Sequence, residues 1–284
     1  MSVPFSHNLE PGRTSSSVIG GLTAGPKVNW SEDLEELHEQ SSRTHFIDVW
    51  TRRAIIARLG ALPAEPTVLD LGCSSGHLLV DLRAALPDAG LIGVDLVASG
   101  LRKARRQVPD ARLLLADACA LPLASASVDG AVSANLLEHV PDDERALAEI
   151  FRVLRPGARA VIVVPVGPGN YDYYDRFLGH ERRYAKGELA GRAAAVGLQV
   201  LEDMYLGAPL YPAFWATKQR NRRRHGALEG RALEAKVRAD IERTGDSPLG
   251  RLACRIEERL LVFGVRLPFG IRGLTVLARP GEHR

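Results

Sequence analysis

Between residues 67 and 165 short apolar runs alternate with stretches of helical periodicity, and this rhythm constrains the fold more than any other feature. The runs are Thr67–Leu71, Leu91–Asp95, Arg112–Leu115, Val128–Ser133 and Ala160–Pro165. Helical patterns occupy Gly76–Leu86, Ala98–Gln107 and Asp142–Leu154. Near-continuous apolar strands separated by helices predict a parallel sheet covered on both faces, a doubly wound Rossmann-like α/β fold. Upstream, Ser31 opens a first helical pattern and Ser42–Leu59 a second. Downstream come a helix at Gly187–Ala195, a strand at Leu198–Tyr205 and a last apolar strand at Gly273–Ala278. The expected organisation is a flexible arm over residues 1–28 and one α/β domain over 29–284. Within the domain, a helical cap (29–60) precedes the core (66–206), a helical insertion (207–270) and the last strand (271–280). The insertion holds Leu210–Trp215, a basic run from Lys218 to Arg224, and two predicted helices. The second helix places Leu249, Leu252, Ile256, Leu260 and Phe263 on one stripe, suited to a lid, a dimer surface or a substrate wall.

Composition removes several classes. With 45% hydrophobic and 25% charged residues, disorder and collagen-like repeats are excluded. Three scattered cysteines make neither a disulfide framework nor a zinc site. No apolar run reaches membrane-spanning length, and the N-terminal residues lack a signal-peptide layout, so a cytoplasmic protein is expected. A net charge of +3 over 284 residues is too weak a footprint for nucleic-acid binding. Arginine far outnumbers lysine, a bias that GC-rich codons produce and that suggests a bacterial source.

The chemistry-bearing residues sit at the ends of the predicted strands. Asp70 ends the first, before the turn Gly72-Cys73-Ser74-Ser75-Gly76 that opens a helix. Gly72 permits close backbone approach, and the helix start offers free N–H groups. The spacing is not that of a dinucleotide fold, and an acid beside a pyrophosphate would be repelled; Asp70 suits a ligand ammonium. Asp95, ending the second strand with Leu96 beside it, can accept from both ribose hydroxyls or cap the next helix. Asp117 and Ala118 follow the third strand, where a carboxylate and a backbone N–H can read an adenine edge. Ammonium, ribose and adenine along one sheet edge describe an adenosyl amino acid.

The segments Asp70–Gly76, Gly93-Val-Asp95, Asp117–Pro122, Val128–Val132, Asn135-Leu-Leu-Glu-His139 and Arg155-Pro-Gly157 resemble the class I S-adenosylmethionine-dependent methyltransferases over about residues 66–205. Ser74 departs from the usual middle glycine. The resemblance implies a seven-stranded sheet whose last strand is antiparallel and forms a hairpin with its neighbour, and S-adenosylmethionine as cofactor. It also implies that Asp70, Gly72, Cys73 and Gly76 cradle the methionine end, Asp95 holds the ribose, Asp117 and Ala118 hold the adenine, and the backbone near Asn135 lines the sulfonium.

His139 and His180 are the base candidates, each with a packing or ion-pair role as its alternative. His180 lies in the aromatic, charged loop 171–184, where Tyr171, Tyr174, Arg183 and Tyr184 are candidate substrate contacts. No cluster with metal-ligand spacing is visible, so a metal-independent reaction is expected. The leading expectation is O-methylation of a small or glycosylated metabolite, such as a secondary metabolite. A rival places the enzyme on a membrane surface, acting on a lipid-linked acceptor through Leu210–Trp215 and the basic run; a homodimer interface is the plainer reading of that patch. A third keeps cofactor binding without methyl transfer, as in a cyclase or binding subunit.

Overall fold

A computed structural model describes residues 43–244 and 247–281. The expected arm, the helix from Ser31 and the start of the cap therefore lie outside the described residues. The first described helix is α1, Phe46–Ile56.

Seven strands form one sheet in the order β3-β2-β1-β4-β5-β7-β6. The strands are β1 (Thr67–Leu71), β2 (Gly90–Asp95), β3 (Arg112–Leu115), β4 (Val128–Ala134), β5 (Leu154–Pro165), β6 (Gln199–Leu206) and β7 (Arg272–Ala278). Their connections carry α2 (His77–Ala85), α3 (Ala98–Gln107), α4 (Asp143–Val153), the short α5 (Tyr173–Phe177) and α6 (Glu188–Ala195). β3, β2, β1, β4 and β5 pair in parallel, while β7 runs antiparallel between β5 and β6. β6 and β7 pair as expected, but the whole insertion is their connection, so no tight hairpin joins them.

Alternation along the central strands feeds two cores. Leu69, Ile162 and Val164 pack with α4 and α6 through Leu147, Ile150 and Leu189. Val68, Val161 and Val163 face the other way, against α1 and α2 through Trp50, Ile55, Leu79 and Leu82. Because successive side chains point to opposite faces, an unbroken apolar strand is needed to satisfy both. β5 begins earlier than its apolar run suggests. Arg155-Pro-Gly157 belongs to the strand, with a register irregularity against β4 and a left-handed Gly157 (φ +82°).

The insertion has three helices where two were expected: α7 (Tyr211–His225), α8 (Gly230–Thr244) and α9 (Pro248–Val262). α9 packs inward through Gly250, Cys254 and Glu257. Glu257 accepts from Gly207 N–H (2.9 Å) and Ala208 N–H (3.0 Å), tying the helix to the end of β6. A Cβ on Gly250 would come within 2.5 Å of the Phe46 ring, so α9 and α1 touch almost backbone to ring. The apolar stripe points outward, with Leu249 77% and Phe263 81% exposed.

Candidate active site

β1 and β4 are neighbours on which the order of connection reverses, and the loops leaving their carboxyl ends form the floor of the site. Gly72 N–H and Cys73 N–H donate to the Val94 carbonyl (2.8 and 3.0 Å), drawing the turn after β1 onto β2. Gly72 has φ +81°, and a Cβ there would lie 2.9 Å from Leu136 Cβ, so the loops after β1 and β4 meet only because this side chain is absent. Ser74 adopts φ +45°, a left-handed backbone that glycine takes freely. Its N–H donates to Asp95 Oδ2 (2.8 Å), which holds the strained residue in place.

Asp95 also accepts from Val97 N–H through Oδ1 (2.9 Å). Both oxygens thus organise the two flanking turns, and Asp95 lines the cavity. Asp117 accepts from Cys119 N–H (2.8 Å), a turn that presents Ala118 and the loop after β3 to the same opening. Asp70 is 1% exposed, and its Oδ2 has no hydrogen-bond partner. Burial, and then the charge of Asp95, push its carboxyl up to about 8. A buried carboxylate without a counter-charge is the feature an incoming ammonium would satisfy.

The opposite wall comes from the loop after β5. Asp172 caps α5 in a capping box with Asp175. Asp175 then accepts at Oδ1 from the His180 ring nitrogen Nδ1 (2.8 Å) and from Arg183 Nε (2.7 Å). Lys218 reaches in from α7 to Asp172 (2.7 Å) and Asp175 (3.3 Å). Burial alone would raise the Asp175 carboxyl; the His180 hydrogen bond and then the Arg183 and Lys218 charges outweigh it and hold it well below the usual range. Phe214 lies under both cations, 5.7 Å from Arg183 and 5.6 Å from Lys218. Lys218 therefore belongs to this buried network and not to the exposed basic face expected from the run 218–224.

The His139 and His180 rings meet edge to face at 4.7 Å. Glu138 beside them is fully buried with neither oxygen hydrogen-bonded. Burial pushes its carboxyl up to about 7 against the opposing charges of His180, Arg272 and Arg183. One ligand atom each from Glu138, His139 and His180 lies within 4.8 Å of the others, a grouping able to hold a metal ion. The expectation that no such cluster exists is thereby corrected. Glu138 and His139 are adjacent, but His180 lies 41 residues beyond His139, so spacing alone could not reveal the grouping.

These walls enclose a cavity of about 1190 Å³. That exceeds the usual range for one small ligand, roughly 300–1,000 Å³, and leaves room for a cofactor and an acceptor together. Gly72, Asp95, Leu96, Asp117, Ala118, Asn135, His139, Tyr174, His180 and Arg183, all candidates from the sequence, line it. Asp70, Cys73 and Gly76 stand behind the lining. Cys73 is buried, and Gly76 packs so that a Cβ would meet Ala104 Cβ at 2.8 Å. Two expected substrate contacts are structural instead. The buried Tyr184 hydroxyl donates to Asp143 (2.6 Å) beneath the sheet edge, and the Tyr171 hydroxyl donates to the His180 carbonyl (2.7 Å). The residues sequence reasoning missed are Glu138, Lys218, Phe214 and Arg272, which donates to Asp48 and Thr51 on α1 across the mouth.

A family model described as a methyltransferase domain matches residues 69–162. A demethylmenaquinone methyltransferase of Thermus thermophilus is 36% identical over 118 residues, covering 40% of this chain and 53% of that one. An O-methyltransferase of Pyrenophora dematioidea is 33% identical over 127 residues, covering 42% and 47%. The matches span from 33% to 57% of the length of these and the other curated relatives. Among solved structures, the phosphoethanolamine N-methyltransferase 2 of Haemonchus contortus in complex with S-adenosyl-L-methionine superposes with a TM-score of 0.61 at 15% identity, covering 89% of this chain and 58% of that one. Its likeness is one of fold. Taken with the sheet order and the carboxylates on its rim, these matches show a methyltransferase domain over residues 69–162, set in a chain with the fold of the class I S-adenosylmethionine-dependent methyltransferases.

Proposed function

We propose that the protein transfers a methyl group from S-adenosylmethionine to a hydroxyl of a small or glycosylated metabolite. The observation that carries this reading is the Asp175–His180 pair, a buried carboxylate on one ring nitrogen of a histidine that opens on the cavity. The cofactor fits the residues present: Asp70 lacks a counter-charge, Gly72 leaves space where a Cβ would clash, and the Asp95 carboxylate lines the cavity. When bound, S-adenosylmethionine supplies an electrophilic methyl on its sulfonium. Asp175 fixes the ring so that Nδ1–H donates to it, leaving Nε2 unprotonated toward the acceptor. His180 Nε2 then takes the hydroxyl proton as the oxygen–methyl bond forms, and the imidazolium it becomes is balanced by Asp175. The aromatic wall of Phe214 and Tyr174 excludes water and aligns the acceptor for in-line displacement.

His180→Ala should lower turnover about 10²–10⁴-fold with little change in cofactor affinity. Product formation from methyl-labelled cofactor and native metabolite extracts would read this. Unchanged turnover would remove His180 as the base. The reading also takes the reaction as metal-independent: activity should survive exhaustive chelation. Activity lost on chelation and restored by a divalent cation would assign Glu138, His139 and His180 to a metal instead. The same chemistry on a lipid-linked acceptor is a second reading, favoured by the outward apolar stripe of α9. Cofactor bound tightly with no labelled product from any extract would favour a fold relative without transferase activity.

A further inference from the structure

Helix α9 and the segment after it present an unusual surface. Leu249, Leu252, Ile256 and Phe263 recur at three-, four- and seven-residue spacing on the side of the helix turned away from Gly250, Cys254 and Glu257. All four are exposed, as are Val262 at 80% and, beyond the helix, Val265 and Phe269. A surface helix ordinarily turns its apolar stripe toward the core; this one buries a narrow small-residue edge and offers the stripe to its surroundings.

The charges along the stripe identify what covers it. Arg251, Arg255 and Arg259 run down one flank at four-residue spacing, all exposed; Arg266 beyond the helix pairs with Glu202 (3.2 Å). Of the two carboxylates in the helix, Glu257 is turned inward to the Gly207 and Ala208 N–H groups, leaving Glu258 alone outside. An apolar face flanked by arginines is the pattern of a helix lying in the plane of a bilayer, its leucines at the acyl boundary and its guanidinium groups among anionic headgroups. A second copy of the chain fits poorly. A two-fold interface would set each arginine row against itself or its apolar neighbours, with one exposed carboxylate per copy to offset it. The helix starts beside Ser247, which lines the cavity, so a surface held by α9 lies near the mouth of the site.

We propose that the 249–269 surface docks the protein on an anionic phospholipid bilayer, α9 lying in the interface. The docking is independent of the transfer chemistry, so its failure and that of the proposed reaction are separable. The test is co-sedimentation of the full chain with phosphatidylcholine vesicles, with and without phosphatidylglycerol, at low and high salt. The expected result is binding to the anionic vesicles at least ~10-fold stronger than to the neutral ones and weakened by salt. The variants Leu252→Asp with Phe263→Asp, and Arg255→Glu with Arg259→Glu, should each abolish sedimentation while leaving the melting temperature and cofactor binding unchanged. Absence of wild-type binding, binding indifferent to phosphatidylglycerol, or binding retained by both variants would overturn the proposal. So would a dimer in light scattering that the Leu252→Asp, Phe263→Asp variant dissociates.

Discussion

Replacing Asp70 by Asn tests the cofactor pocket where its physics is most unusual. The carboxyl is buried, one oxygen is without a partner, and its pKa is pushed up to about 8. The sign follows from linkage. A folded pKa above the unfolded 3.8 means the folded state binds the extra proton, so the penalty grows as pH rises from 3.8 and levels off above about 8. At pH 7, keeping this group protonated costs the fold roughly 4 kcal/mol. Asp70→Asn removes that penalty and keeps the shape. It should raise the melting temperature of the ligand-free protein at pH 7–8, by about 2–4 °C for each kcal/mol recovered, and change little near pH 4. Cofactor binding reverses the account. An ammonium beside Asp70 favours the ionised carboxylate, so at pH 7 binding should release most of one proton, roughly 0.9, falling toward zero at pH 9. Calorimetry in buffers of differing ionisation enthalpy measures this release, which should vanish in Asp70→Asn together with much of the affinity. Wild-type binding without proton release at pH 7, or a variant less stable than the wild type at pH 8, would refute the argument.

Asp95→Ala should weaken S-adenosylmethionine binding by about 1.5–3 kcal/mol in a calorimetric titration. It should also lower the melting temperature, because Ser74 and Val97 lose their acceptor. Lys218→Met leaves Asp172 and Asp175 buried without their ammonium and should cost roughly 3–5 kcal/mol in denaturant unfolding. Gly72→Ala forces a Cβ against Leu136 at a left-handed backbone position; equilibrium dialysis should show cofactor binding lost more completely than thermal stability.

The sheet could be read closely from the chain because burial on both faces leaves little choice of residue. Thr67–Leu71 starts and stops where its apolar run does. The insertion could not. Periodicity says which residues of α9 share a face but not whether that face meets protein, and Leu249 and Phe263 turned outward. α7 was hidden by a polar sequence with weak amphipathic character, in which the Phe214 and Lys218 side chains reach the cavity from among exposed neighbours. The rim carboxylates Asp95 and Asp117 were legible because one ends a strand and the other follows one by two residues. Tyr184 misled, since a loop aromatic looks like a substrate contact until its hydroxyl is found on Asp143. The grouping of Glu138 with His180 depends on the loop after β5 folding back over the end of β4, which Glu181 N–H secures on the Glu138 carbonyl (2.8 Å).

A crystal structure of the protein soaked with S-adenosylhomocysteine would decide the central matter. The ammonium should lie against Asp70, the ribose on Asp95 and the adenine beside Asp117 and Ala118, with the sulfur facing Asn135 and space left before His180. The nucleoside bound in any other cleft, or turned so that its sulfur points away from His180, would contradict the account.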